Sequence, residues 1–188
     1  YPAIPPVLQR FAAAYPRVKV HLLSSFTNEL KEQFKKGEAD VVLTTEGLLG
    51  ESGETLCRRK LVWIGAPDGQ AHKQRPLRLA FEQRCAFWQM AQSRLDEMNV
   101  PWEMAVETQS SRTIEATVSA DLAVHAMLEG TVPSHCAALP SNCGLPSLGE
   151  NQINMYYRKQ SASPVVAALA EMVRAAYRVK SAPLTVVA

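Results

Sequence analysis

The chain has 188 residues, 47% hydrophobic and 20% charged, with a net charge of +2, and so has the composition of an ordinary soluble globular protein with one large or two small domains. No long basic run exists to hold nucleic acid, and Arg58-Arg59-Lys60, the densest cluster, reads as a solvated face. There is no stretch of eighteen apolar residues and no signal-peptide pattern, so nothing points to a membrane or to secretion.

Ile4, Leu8, Phe11 and Tyr15 lie on one stripe and predict a first helix, with Pro5 and Pro6 tolerated in its opening turn and Pro16 ending it. Val7 and Ala14 form a smaller apolar strip toward another side of that helix. Val18, Val20 and Leu22 alternate with polar neighbours and predict a strand. Thr27 can cap the next helix, which buries Leu30 and Phe34 and stops at Gly37. Asp40 then precedes a buried strand through Val41, Val42 and Leu43, completing a strand–helix–strand crossover. Residues 47–54 are turn-rich, and Leu56 to Pro67 is a long strand around Leu61, Val62, Trp63 and Ile64. The polar stretch 68–76 suits a crossing into a second domain.

A second alternating unit follows. Leu77 to Phe81 is strand-like, and Trp88, Ala91, Leu95 and Met98 mark a helix that Asn99 and Pro101 end. Trp102, Met104 and Val106 alternate as a strand, and Ser111 can cap a helix through Val118. Leu122 to Met127 is apolar again, while 130–150 reads as loop with one short strand. Ile153, Met155 and Tyr157 alternate, and Ser163-Pro164 opens a last helix burying Val166, Leu169, Val173 and Tyr177. Two such sets imply two α/β subdomains.

Recognisable chemistry is missing. No GxSxG elbow, HExxH, Walker loop or GxGxxG occurs, and His21, His72, His125 and His135 show no ligand spacing, so the expectation is no catalytic residues, no metal and no cofactor. His125, in an apolar strand, reads as a hydrogen-bonded core residue, and His135-Cys136 would point to opposite faces of a strand. Cys57, Cys85, Cys136 and Cys143 read as scattered free thiols, the spacing of Cys136 and Cys143 leaving a pairing open. Ligands in open α/β sheets sit beyond the carboxyl ends of strands, which here carry Ser24, Ser25, Phe26, Thr27 and Thr44, Thr45. Small hydroxyls without a nucleophile–base set point to binding.

The order Tyr15-Pro16, strand, helix, Gly37-Glu38-Ala39-Asp40 and apolar strand resembles the effector-binding domain of LysR-type transcriptional regulators. Residues 85–111, CAFWQMAQSRLDEMNVPWEMAVETQSS, and 144–173, GLPSLGENQINMYYRKQSASPVVAALAEMV, resemble segments of the same domain. The likeness covers essentially the whole chain. Ala120-Asp121-Leu122-Ala123 departs from it, standing where the family has a Gly-rich Ala-Gly-Leu-Gly turn, and neither the family's first strand nor its helix-turn-helix domain is in the sequence.

The resemblance implies a periplasmic-binding-protein-like α/β fold with two Rossmann-like subdomains, 1–66 plus 159–188 and 67–158, joined by two crossover strands that hinge over a cleft. It implies a cytoplasmic, non-catalytic module that takes a small, weakly acidic or polar effector in that cleft. It also implies assembly as a homodimer or homotetramer, and DNA contact only through a separate helix-turn-helix domain. Expected ligand contacts are Ser25, Phe26, Thr27, Thr44, Thr45, Trp63, Cys85, Phe87, Gln109 and Ser110. A solute-binding protein of a transport system shares this architecture and is the alternative reading.

Overall fold

A computed structural model describes residues 2–179, so Tyr1 and the expected subdomain residues 180–188 lie outside the described part. The chain divides into two compact units, one formed by residues up to Arg58 together with those from Gln152, the other by Arg59–Asn151.

In the first unit, α1 (Ile4–Ala14) packs on α5 (Pro164–Val179), and α2 (Thr27–Lys36) packs on β1 (Val41–Glu46). β1 runs antiparallel to β7 (Glu150–Tyr157), in register from Val41↔Tyr157 to Glu46↔Gln152. β7 lies between β1 and β2 (Gly53–Gly65) in the sheet. Gly37 ends α2 in the left-handed region at φ 81, a conformation open to glycine without steric cost. The guanidinium of Arg158, after β7, donates to the carbonyls of Phe34 and Lys35 and covers the Phe34 ring at 4.6 Å, placing a cation on the negative end of α2.

Several sequence expectations are corrected here. Val18, Val20 and Leu22 form no strand; they are 39%, 42% and 68% exposed. Alternation marks a strand only where a neighbouring strand takes its hydrogen bonds, and the described strand pairings include none to these residues. The expected crossover is therefore a helix leading into one antiparallel strand. On α1 the buried residues are Val7 and Phe11, with Ala3 buried just before it and Ile4 and Leu8 only half-buried, so Val7 belongs to the core stripe and not to an outward strip. On α5, Ala170, Val173 and Tyr177 are buried, while Val166 and Leu169 are partly covered.

In the second unit the end of β2 pairs antiparallel with β5 (His125–Leu128) and with the short β6 (Ala137–Ala138). β3 (Leu77–Glu82) and β4 (Trp102–Thr108) are parallel, connected through α3 (Ala86–Glu97), and a parallel bridge joins Leu79 to Val124. α4 (Ser111–Ser119) packs on β3 and β4. Ile64, Ala80, Ile114, Val118 and Ala123 make one buried cluster, beside fully buried Leu77, Leu79, Phe81 and Leu95. Met98 and Leu122, expected in the core, are mostly exposed because each sits just beyond the element whose periodicity it continued.

Asp121 occupies the position where a Gly-rich turn was expected. Its backbone is left-handed at φ 57, and its carboxylate accepts the N–H groups of Gln70 (2.8 Å) and Ala71 (3.0 Å), which open a 3-10 turn at Ala71–Lys73. Asp adopts this backbone region more readily than most residues, and here the carboxylate supplies two charge-assisted hydrogen bonds that glycine cannot. Gly69 beside it must lack a side chain, since a Cβ there would lie 2.3 Å from the Asp121 Oδ1.

Candidate functional site

The carboxyl end of β1 gathers a polar cluster around Glu46. Its carboxylate accepts from the Lys31 ammonium (2.7 Å), the Thr44 hydroxyl (2.8 Å) and the Tyr156 hydroxyl (2.6 Å). Tyr156 in turn accepts the Gly50 N–H at 2.9 Å, and the Lys31 Nζ lies 5.3 Å from its ring centre. The pairing follows from strand geometry. Thr44 and Glu46 share a face of β1 with their partners Asn154 and Gln152, and Lys31 projects from α2 onto that face. Gly53 leaves room for the Tyr156 ring, which a Cβ would meet at 2.6 Å.

Burial alone would raise the Glu46 carboxyl, but the hydrogen bonds from Lys31, Tyr156 and Thr44 together hold it below the usual carboxylate range. The bond to Glu46 pushes Lys31 up, against its own burial, and burial together with the Glu46 bond pushes the Tyr156 phenol up. At neutral pH the cluster is thus an ionised pair with a neutral tyrosine.

The expected contacts of this unit surround the cluster. Thr44 is 1% exposed, with its hydroxyl committed to Glu46. The Thr27 hydroxyl donates to the Thr45 carbonyl at 3.3 Å and accepts the Thr45 N–H at 3.4 Å, tying the start of α2 to the end of β1. It does not cap the helix as expected; the N-cap position is Phe26, which offers no side-chain acceptor. Ser25 donates its hydroxyl to Glu29 one turn on. Glu46, Lys31 and Tyr156 were missed by the sequence reading. Lys31 carries a weak signal, four residues after Thr27 on one helix face, whereas Tyr156 reaches the cluster only through the β1–β7 pairing.

The expected residues of the second unit are more dispersed in role. Trp63 is a core residue whose indole N–H donates to the Pro146 carbonyl at 2.8 Å. Cys85 is the N-cap of α3, and burial pushes its thiol up to about 11, which removes it as a nucleophile. Phe87 is half-buried on the first turn of α3, and Trp88 stacks between Phe81 (5.3 Å) and Trp102 (5.0 Å). Gln109 and Ser110 are exposed beyond β4; Ser110, not the expected Ser111, caps α4 by accepting the Thr113 N–H at 3.4 Å.

Other chemistry-bearing residues are bound up locally. His125 is buried, with Nδ1 2.8 Å from the Ala80 carbonyl and its ring 4.5 Å from that of Phe81. His135 lies 3.4 Å from Glu115, and burial raises the Cys136 thiol. All four cysteines are free thiols. Among the described residues no group of three or more His, Cys, Asp or Glu could hold a metal, and no helix is long and apolar enough to cross a membrane.

The family model of the LysR substrate binding domain matches residues 2–178. The chain belongs to this family. A curated relative, the HTH-type transcriptional regulator DgdR of Burkholderia cepacia, is 27% identical over 173 residues, which are 92% of this chain. The chain spans 59% of that relative's length. Among solved structures, the C-terminal domain of a probable LysR family transcriptional regulator from Rhodococcus sp. RHA1 is similar with a TM-score of 0.68 and 19% identity, covering 92% of this chain and 95% of that one. The effector binding domain of QuiR in complex with shikimate is similar with a TM-score of 0.69 and 14% identity, covering 93% and 90%. At these identities the likeness shows the fold, the periplasmic-binding-protein-like α/β architecture of LysR substrate-binding domains.

Proposed function

We propose that this chain is the effector-binding part of a LysR-type transcriptional regulator, that it has no catalytic role, and that in the cell it works in the cytoplasm. The observation that carries the reading is the family match along residues 2–178, joined to strand ends lined by hydroxyls with no nucleophile–base pair among them. DgdR is named as an HTH-type regulator and extends beyond the length this chain covers, so the whole protein is expected to bind DNA through a domain outside the present sequence. Effector binding would favour one of two arrangements of the assembled regulator, and the DNA-binding part would read the difference. Band-shift titration of the whole protein on DNA upstream of its own gene tests this; an affinity that no added effector alters would overturn it.

In this reading Ser25, Thr27 and Thr45 contact the effector in subdomain 1–66 plus 159–188, with Phe26 beside them and Thr44 behind. Phe87, Gln109 and Ser110 contact it in subdomain 67–158, while Cys85 and Trp63 support the wall. Removing one hydrogen bond typically costs about 0.5–1.5 kcal/mol, so Thr45→Ala should weaken binding several-fold by calorimetry. Unchanged affinity in Ser25→Ala, Thr27→Ala, Thr45→Ala and Ser110→Ala would place the site elsewhere. Two or four copies are expected to associate, and a light-scattering mass that stays monomeric at tens of micromolar would contradict that.

A further inference from the structure

Pairing between β3 and the chain entering β5 is short, and a side chain stands where it stops. Val124 donates its N–H to the Arg78 carbonyl at 2.9 Å, and its own carbonyl accepts the Ala80 N–H at 3.1 Å. The next carbonyl of β3 on that edge, that of Ala80, is taken at 2.8 Å by Nδ1 of His125. A carbonyl can only accept, so Nδ1 carries the imidazole proton. Burial disfavours the charged ring more strongly than the Glu82 charge and the Ala80 bond favour it, so the imidazole is neutral at pH 7. Nε2, on the opposite edge of the ring, is then a lone-pair acceptor directed away from the Ala80 carbonyl. It has no hydrogen-bond partner among the described residues, although His125 is only 6% exposed.

A second unspent acceptor stands nearby. Glu82, two residues beyond Ala80 at the carboxyl end of β3, is half-buried, and its charge acts on both His125 and the Cys85 thiol. Its carboxylate makes no hydrogen bond or ion pair among the described residues, whereas Glu46, also half-buried, is satisfied by three donors. Arg84, two residues on, is exposed and has an interaction of its own. The Phe81 ring, 4.5 Å from the imidazole and 5.3 Å from Trp88, adds an aromatic surface beside these acceptors. Buried and half-buried acceptors are normally matched by donors, and here the fold supplies none.

We propose that His125 Nε2 and the Glu82 carboxylate form a subsite in the second unit that receives an ammonium group of the effector. The ammonium supplies the donors that both acceptors lack, and a positive charge against Glu82. A carboxylate would meet a lone pair and a like charge. The proposal rests on the effector-binding reading above and adds the chemical class of one ligand group.

The test is calorimetry on this chain with benzylamine, benzyl alcohol and benzoate, three probes built on one skeleton. Benzylamine should bind most tightly and benzoate least. Glu82→Gln should weaken benzylamine about tenfold, the scale of one charge-assisted hydrogen bond, and benzyl alcohol no more than about twofold, because the amide oxygen still accepts. His125→Phe keeps the ring against Phe81 but removes the acceptor, and should weaken both; circular dichroism checks that each variant is folded. With labelled histidine, benzylamine should shift the Nε2 nitrogen resonance of His125 while Nδ1 stays protonated. Benzoate binding as tightly as benzylamine would overturn the proposal, as would an amine affinity unchanged by Glu82→Gln or an amine that does not bind at all. In those cases a band shift of the whole protein that answers to another effector keeps the effector-binding reading and removes only the ammonium subsite. A whole protein that answers to no effector removes both.

Discussion

Replacing Asp121 with glycine, the residue its turn was expected to hold, should destabilise the protein. The gain is small: relief of the left-handed backbone is worth about 1 kcal/mol, much of it offset by the extra freedom of an unfolded glycine. The loss is larger. Gln70 is exposed, and water can replace its bond, but Ala71 is buried and its N–H would be orphaned at about 1–3 kcal/mol. Gly69→Ala should cost a similar amount, because its Cβ at 2.3 Å from Oδ1 drives the same carboxylate off the same two donors. The two losses are therefore one loss counted twice. In the double variant the two carboxylate contacts are gone and the added methyl has Ala66 Cβ at 3.0 Å to accommodate, so the cycle should show a coupling of about 1–2 kcal/mol toward stability. The assay is urea unfolding followed by tryptophan fluorescence, since Trp63, Trp88 and Trp102 all lie in the unit that holds this turn. Single-variant losses that add to within about 0.3 kcal/mol in the double variant would refute the shared-carboxylate argument.

Other outcomes follow from the same geometry. Glu46 is held below its unfolded carboxyl value, so its contribution is fully present above about pH 4.3 and is lost as pH falls through the folded value. The melting-temperature gap between the parent and Glu46→Gln should therefore shrink in acid, and a gap equal at neutral pH and near pH 3 would contradict the cluster's electrostatics. Burial depresses His125, more strongly than the Glu82 charge and the Ala80 carbonyl raise it. Below about pH 6.5 the unfolded chain takes up a proton that the native histidine refuses, so stability should fall from there toward the lower folded value. His125→Phe, which keeps an aromatic ring against Phe81, should flatten that slope in fluorescence-monitored melts. Leu95→Ala, at a fully buried position on α3, should cost about 2–5 kcal/mol by urea unfolding, and a cost under about 1 kcal/mol would show that the site collapses around the cavity.

Local patterns alone determined most of the elements. α2 with its glycine stop, β3, α3, β4 and α4 are legible because a helical stripe or a short apolar run is bounded by cap and turn residues close in sequence. The family signature is legible for the same reason, being an order of such local units, and the hydroxyl-bearing strand ends are simply where those units stop. Pairing and polarity were decided elsewhere. The alternation at Val18–Leu22 was a valid strand pattern, yet a strand needs hydrogen bonds from a neighbour, and the described strand pairings include none to these residues. Val7 was assigned outward because a periodic stripe fixes angles around a helix but not which side α5 will cover. Glu46 and Tyr156 are 110 positions apart, so no spacing rule joins them; the antiparallel register does. That register also turned the hydroxyls inward as donors, because a half-buried carboxylate must be satisfied by whatever protons the fold brings near it.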